Sequence, residues 1–403
     1  MLNLTDMKLK SYKVSMKFMV NKQTPLKIAF NLLSAKAGAG ISVYKTLLPS
    51  ISHIDKNNKY LVFISYKQTD LKDLIPQNIK MKVLKFVPNN PFLRVIWEQI
   101  IFPFYLIRNK IDILYSVGNI TTILAPCKIL LFIENQNPFT RIVKSWSFKE
   151  KVRNKLLFLL GWLSAKRADK IRFCSERSME IISEIYSINH HECFVLHHGI
   201  DFKWINNIKI VKLYFFNFIL SVSVIAPHKN FEVLLKAFSL LKKENIYKGK
   251  LIIVGDIYYY PFYYKMLVEL CKSEQIFNDV LFTGKITYNE IFKFYKNADL
   301  FVLPSIEETF GIPLIEAMYC NIPVIVSDGK KYKDLFIPFN EIAKDEAFYF
   351  DPFSEKDLFE KMKSILMNKN EFQKSNSKAF VEKNYSIDAI AEKLVEEFNK
   401  LRD

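Results

Sequence analysis

Residues 302–328 read VLPSIEETFGIPLIEAMYCNIPVIVSD, and three of their side chains could do chemistry: Glu307, Glu308 and Glu316. An apolar strand pattern, Val302 and Leu303, runs into a loop holding the first two carboxylates. Phe310-Gly311 follows, and Pro313 then opens a short helix carrying Glu316. Proline at the first helical position forfeits no hydrogen bond and presets φ. The helix start turns free N–H groups and the positive end of its dipole toward the loop. That is an anion site with one carboxylate at its mouth and another a turn inside. It suits a ligand that is anionic in one part and rich in hydroxyls in another, and a sugar nucleotide meets that description.

Pro227-His228-Lys229-Asn230 is a second such turn, placed after an apolar run at Tyr214–Val222 and before a helix from Phe231. A lysine there can reach a phosphate and neutralise charge on a departing group. The alternative is a solvated surface lysine, the usual fate of that residue. Gly38-Ala39-Gly40 follows the first strand pattern; Gly40 lets the loop approach a ligand closely, or simply forms a turn. His198 lies in the turn His197-His198-Gly199-Ile200-Asp201, where a histidine serves either a site or the structure. Glu134 closes the apolar run Lys128–Glu134, as an acceptor-side carboxylate or as a satisfied strand end.

The elements that must position these residues alternate. Apolar runs at Leu26–Leu32, Tyr60–Ser65, Lys82–Val87, Ile111–Ser116, Lys128–Glu134 and Ile171–Ser175 predict strands, with helical patterns between them, as at Phe92–Arg108. This predicts a doubly wound α/β half with a parallel sheet. The pattern restarts near Asp201–Tyr214, and Tyr214–Val222, Lys250–Val254, Val280–Thr283 and Ala347–Phe350 predict a second such half. Thr287 and Glu290 form a capping box. The expected division is a basic extension over 1–24, Rossmann-like halves over 25–205 and 206–385, and a last helix over 386–403 that packs back toward the first half. Ligands of open α/β sheets sit at the carboxyl ends of the strands, where all of these turns fall.

With those residues in place, the chain resembles the retaining glycosyltransferases of family 4, which have a GT-B fold. Glu308 and Glu316, seven residues between them in EETFGIPLIEAM, are similar to the family's E-G-F-G-L-P-x-x-E-A-M. The spacing selects Glu308 over Glu307, which is left as a loop carboxylate in water. Pro227-His228-Lys229-Asn230, Gly199-Ile200-Asp201, Gly38-Ala39-Gly40-Ile41 and Tyr295-Lys296-Asn297-Ala298-Asp299 match further motifs in order. The resemblance implies Lys229 on the diphosphate, Glu316 on ribose hydroxyls and Glu308 at the transferred sugar. Thr309, Phe310, Gly311 and Ile312 should offer backbone N–H groups, although the Phe310 ring is expected to pack. Val224 and Asn230 flank the lysine on the donor side, and Gly38, Gly40, Glu134 and His198 face them across the cleft. The family places an arginine on the diphosphate where this chain has Val224, so Lys229, the helix start and a further cation such as Lys285 must serve. A histidine usual in the first half is absent from Glu134-Asn135-Gln136-Asn137-Pro138-Phe139.

The implied activity is a retaining, metal-independent transfer of a hexose from a UDP- or GDP-sugar to a glycan or lipid-linked hydroxyl, in cell-surface polysaccharide or lipopolysaccharide synthesis. No cofactor is expected, and no carboxylate cluster suggests a metal site. The rival readings are an inactive GT-B-like protein that binds a membrane or polyanion, and a sugar-nucleotide epimerase or hydrolase. With 403 residues the chain can bury two cores. Its net charge of +17 fits a phosphorylated substrate, an anionic membrane surface or a merely solvated face. Nucleic acid is excluded as a partner, because no zinc-finger, RRM or KH signature occurs. Five scattered cysteines form no ligand spacing and point to a reducing compartment. No apolar run reaches the length of a membrane span, and the N-terminus lacks the core of a signal peptide. The expectation is a cytoplasmic protein, with peripheral contact at the inner face of the membrane.

Overall fold

A computed structural model describes residues 24–34, 39–68, 74–136, 138–139, 148–208, 216–368 and 376–402. The first half contains β1 (Lys27–Asn31), α1 (Ala39–Ile54), β2 (Lys59–Ser65), β3 (Lys80–Leu84), α2 (Pro91–Ile100), α3 (Phe102–Asn109), β4 (Ile113–Val117) and β5 (Lys128–Ile133). It continues through α4 (Phe148–Arg167), β6 (Lys170–Phe173), α5 (Glu176–Tyr186), β7 (Cys193–Val195) and α6 (Phe202–Asn206). All strands pair in parallel, in the order β3-β2-β1-β4-β5-β6-β7.

The second half runs β8 (Phe218–Val222), α7 (Phe231–Lys243), β9 (Lys250–Val254), α8 (Pro261–Ser273), β10 (Val280–Gly284), α9 (Tyr288–Tyr295), β11 (Leu300–Leu303) and α10 (Ile312–Tyr319). Then come β12 (Val324–Ser327), α11 (Phe339–Ile342), β13 (Phe348–Phe350), α12 (Glu355–Met367), α13 (Ser377–Asn384) and α14 (Ile387–Lys400). Its parallel order is β10-β9-β8-β11-β12-β13. Strands such as Phe218–Val222 and Leu300–Leu303 are buried along their whole length. Helices cover both faces, so the strands read as unbroken apolar runs rather than alternating ones.

Sequence and structure differ at several elements, among them the following. The single helix expected over Phe92–Arg108 is two, because Pro103 lacks the N–H that a continuous helix would need there. The strand expected from Tyr214 starts at Phe218, and 209–215 lie outside the described residues. Helix α8 was not read from the sequence, because the aromatic-rich segment Ile257–Tyr264 that leads into it hides the apolar period. The capping box at Thr287 and Glu290 is present in full.

Several contacts join the halves, three of them away from the crevice. Gly199 lies so close to Ile387 that a Cβ would come within 2.6 Å of its Cα, and this lets Ile200 exchange backbone hydrogen bonds with Tyr385 (2.8 Å) and Ile387 (3.1 Å). The Glu341 carboxylate accepts the Glu176 N–H at the start of α5 (2.8 Å). Helix α14 lies against α1, with Ser50 Oγ donating to Asp388 Oδ1 (2.6 Å) and Phe398 seated on Phe30 and Tyr115.

Candidate active site

The second sheet reverses its strand order between β8 and β11, the place where an open sheet leaves a crevice. After β8 the chain makes a short turn over Pro227–Lys229, and Asn230 adopts φ 55°, a left-handed conformation asparagine tolerates. This reversal starts α7 and points Lys229 at the loop after β11. Lys229 Nζ is 2.5 Å from Glu308 Oε1 and 3.4 Å from the Glu307 carbonyl oxygen, and the lysine is 6% exposed. The Ile306 N–H donates to the His228 carbonyl (3.0 Å) and ties the two loops together. Burial, helped by the Lys229 charge, pushes the His228 imidazole down to about 3.

Gly311 precedes α10 with φ 94° and ψ 58°, and a Cβ there would come within 2.8 Å of the Phe339 ring. Conformation and space both demand glycine. Ile312 takes the first helical position and Pro313 the second, one later than expected, yet its missing N–H still falls among the unpaired first-turn groups. No side chain caps this helix start. The Thr309 carbonyl turns to the first half and accepts from Ser175 Oγ (2.7 Å) and Cys174 Sγ (3.2 Å). The Phe310 ring is 1% exposed and packs on His197, His198 and Tyr385. Only the backbone of Phe310 can serve the crevice.

Glu316 is 3% exposed. Its Oε2 accepts from Tyr295 (2.9 Å) and its Oε1 from Tyr288 (2.5 Å). Burial raises its carboxyl to about 7, partly offset by the two tyrosine hydroxyls. Tyr288 stacks on Trp204 at 4.9 Å between ring centroids. Both rings, with Gly199, Asp201, Lys45 and Ile312, line a cavity of about 380 Å³ between the halves, which therefore reaches the first residue of α10.

Several expectations change. Glu307 does not stand in water: it is 3% exposed, and its backbone carbonyl meets Lys229. Asn230 sends its amide to the Pro352 carbonyl (2.8 Å), so its side chain holds the turn. Val224 is 38% exposed beyond β8 and, being apolar, adds nothing for an anion. Gly38 lies outside the described residues, and Gly40 falls in the first turn of α1.

On the first-half wall, His198 is buried between Phe132 and Phe310, its Nε2 3.6 Å from Glu134 Oε1. Burial, with Arg172 and His197 adding charge repulsion, pushes its imidazole down to about 3. Its Nδ1 makes no hydrogen bond among the described residues. Burial also raises the Glu134 carboxyl, while Arg172 opposes the rise.

Sequence reasoning missed Arg172, which is 1% exposed. Its guanidinium donates to Tyr115 Oη (2.7 Å), the Leu196 carbonyl (2.9 and 3.0 Å) and the His197 carbonyl (2.9 Å), and lies 4.2 Å over the Phe132 ring. It thereby fixes the loop that carries His198. A charged residue inside the apolar strand Ile171-Arg172-Phe173 was the available signal. Tyr288 and Tyr295 were missed as partners of Glu316, because nothing local links them to it.

Two parallel Rossmann-like sheets facing across a crevice define the GT-B architecture of glycosyltransferases. Residues 215–380, the larger part of the second half, match the family model described as glycosyl transferases group 1. It is 27% identical over 258 residues to the O-antigen chain mannosyltransferase RfbU of Salmonella typhimurium, a match spanning 63% of this chain and 67% of that protein. A glycosyltransferase of Rickettsia africae superposes with a TM-score of 0.71 at 17% identity, covering 94% of this chain and 99% of that one. The Anabaena protein HepE, solved in complex with UDP-glucose, gives 0.69 at 17% identity over 93% and 100%. No described helix is long and apolar enough to cross a membrane.

Proposed function

We propose that this chain transfers a hexose from a nucleotide sugar to a hydroxyl of a growing glycan or lipid-linked acceptor, with retention of configuration and without a metal ion. The observation that carries this reading is the Lys229–Glu308 pair lying beside the uncapped start of α10, with Glu316 one turn inside the helix. Lys229 and the helix N-terminus supply the positive field that a nucleoside diphosphate needs as it leaves. Glu308 is then released from Lys229 to the sugar, where it accepts hydroxyls or faces positive charge at the anomeric carbon. Glu316 accepts ribose hydroxyls in place of Tyr288.

The acceptor oxygen bonds to the anomeric carbon on the face from which the diphosphate leaves. The departing phosphate oxygen takes the acceptor's proton, so no protein base is needed. The name of RfbU supports an O-antigen-type glycan as acceptor and mannose as the sugar, and the complex of HepE supports a nucleotide sugar in this fold. A cytoplasmic enzyme in peripheral contact with the membrane fits such an acceptor.

Donor turnover across UDP-, GDP- and ADP-sugars, with and without a lipid-linked glycan acceptor and with a chelator, tests this. Acceptor-dependent product that persists in chelator is expected. Turnover without acceptor would instead support a hydrolase or epimerase, and absence of binding to every donor would support an inactive relative.

A further inference from the structure

We propose that Lys151, Asn154 and Lys155 of α4 form a binding site for a phosphorylated sugar on the first half. With Pro138 and Phe158 they line a cavity of about 350 Å³, the size of a small-ligand pocket. Lys151, Asn154, Lys155 and Phe158 recur at helical spacing, so a single face of α4 presents all four. Asn154 is the residue that calls for a ligand. It is 5% exposed, and neither its Nδ2 nor its Oδ1 has a hydrogen-bond partner among the described residues. A buried amide left unpaired at both ends is costly, and folded proteins rarely keep one. An amide that lines a cavity escapes that cost when a ligand accepts from its nitrogen and donates to its oxygen.

The surroundings select the chemistry of that ligand. Both lysines are exposed, and neither makes an ion pair or hydrogen bond among the described residues. Two ammoniums one turn apart on a helix face repel each other, and an anion between them removes that cost. Lysine holds a phosphate as a point charge. Sugar hydroxyls both donate and accept, as Asn154 requires. Phe158 and Pro138 add apolar lining for the C–H face of a sugar ring. Inorganic phosphate would leave that lining unused, and an uncharged sugar would leave the two lysines unused.

The path of the chain puts this site at the edge of the cleft. Arg167, at the end of α4, donates to the Ala125 and Cys127 carbonyls just before β5 (3.0 and 3.4 Å). Helix α4 therefore ends at the amino edge of the sheet and begins at the carboxyl edge, where β5 runs into Glu134. Pro138 belongs to the loop that Glu134 opens. Asn119 Oδ1 holds that loop by accepting the Glu134 and Asn135 N–H groups (3.1 and 2.9 Å). Phe158 is fixed by Phe139 and Tyr186, with ring centroids at 6.0 and 5.1 Å. A sugar phosphate bound here lies on the first-half side, apart from the donor crevice of Lys229 and Glu316. The site would hold a phosphorylated residue of the acceptor. That role rests on the transfer reading above, whereas the binding itself does not.

Ligand-observed NMR titration of the full chain with glucose 1-phosphate, glucose 6-phosphate, glucose and inorganic phosphate tests the site. At least one sugar phosphate should bind about tenfold tighter than glucose or inorganic phosphate. Either one supports the site: preference for the first marks a phosphate at the anomeric carbon, as in a lipid diphosphate linkage, and preference for the second a phosphate elsewhere on the glycan. Asn154→Leu should weaken that binding about tenfold, and the double variant Lys151→Gln, Lys155→Gln about thirtyfold. The variant Lys229→Met, Glu308→Gln should bind the sugar phosphate as the unchanged chain does. Asn154→Leu breaks no hydrogen bond, so its melting temperature should equal or exceed that of the unchanged chain. Donor turnover with an acceptor that carries no phosphate should be unaltered in the Asn154 and lysine variants, which separates failure of this site from failure of the transfer reading. Equal sugar-phosphate binding by those variants would overturn the proposal, as would no binding by the unchanged chain. So would binding lost only in Lys229→Met, Glu308→Gln, or a melting temperature of Asn154→Leu well below that of the unchanged chain.

Discussion

The two walls of the cleft are built on opposite electrostatic plans. The second-half wall pairs a lysine with a carboxylate at 2.5 Å beside an uncapped helix start. The first-half wall buries a neutral imidazole against a carboxyl whose ionisation burial opposes, with Arg172 spent on backbone carbonyls. One wall is prepared for an anion and for charge that changes during reaction. The other is prepared for shape, and its polar groups are largely committed to holding a loop. On the proposed transfer reading, the difference assigns leaving-group chemistry to the second half and acceptor placement to the first.

The sharpest way to break this division is at Lys229. Lys229→Ala should lower the transfer rate about 100- to 1,000-fold, as loss of a preorganised charge at a leaving group does. It also strands the Glu308 carboxylate in a site where the pair is 7% and 15% exposed. Breaking such a pair costs about 3–5 kcal/mol of stability. The double variant Lys229→Met, Glu308→Gln should therefore recover much of the melting temperature and none of the activity. Rates measured beside thermal unfolding separate the two effects. Transfer that survives in the single variant would remove the second-half wall from the chemistry.

Glu316 tests the same wall more gently. Its folded-state carboxyl lies near 7, above the usual value of 4.5. The folded chain thus holds a proton there that the unfolded chain has already lost, and this group's contribution to stability falls as pH rises from about 4.5 to 7. Donor binding should change the opposite way, because the ionised carboxylate is the better acceptor for ribose hydroxyls. Titration calorimetry should find donor affinity rising as pH passes through about 7, and Glu316→Gln should weaken binding at high pH about 10- to 100-fold and flatten the profile. Tyr288→Phe removes the hydroxyl that now occupies Oε1 and should tighten the donor about threefold. An unchanged pH profile in Glu316→Gln would place the ribose elsewhere.

These tests also show which features were legible in the sequence. The structure brings Glu308, Glu316, Gly311 and Lys229 to one crevice, and they were legible because their spacing lies within one loop and one turn. The parallel sheets were found because strands buried on both faces must read as apolar runs. The fate of Glu307 was not readable, because its burial depends on how the loop after β11 meets Lys229, 78 residues away. Tyr288 and Tyr295 reach Glu316 from a helix more than twenty residues earlier, and Arg172 reaches Tyr115 across 57. Asn230 looked like a ligand group until the turn showed its amide on Pro352. Local pattern locates charged groups, whereas their partners are set by tertiary packing.

The smallest expected effect sharpens the comparison from the other side. Among the described residues, Glu134 is the one carboxylate paired with His198, at 3.6 Å, and burial raises its pKa. If the leaving phosphate takes the acceptor's proton, Glu134 can only help to orient the acceptor. Glu134→Gln should then lower transfer about fivefold, through the acceptor KM rather than kcat, and leave donor affinity unchanged. The pH profile of kcat should keep its shape. A loss of about 100-fold in kcat, of the size general-base catalysis supplies, would make Glu134 a base and favour a mechanism in which the protein takes the proton. His198→Phe separates position from chemistry at the same spot, because a phenyl ring fits between Phe132 and Phe310 and carries no nitrogen toward Glu134. Near-normal transfer in that variant would leave the imidazole a packing group, and the chemical work would rest with the second-half wall.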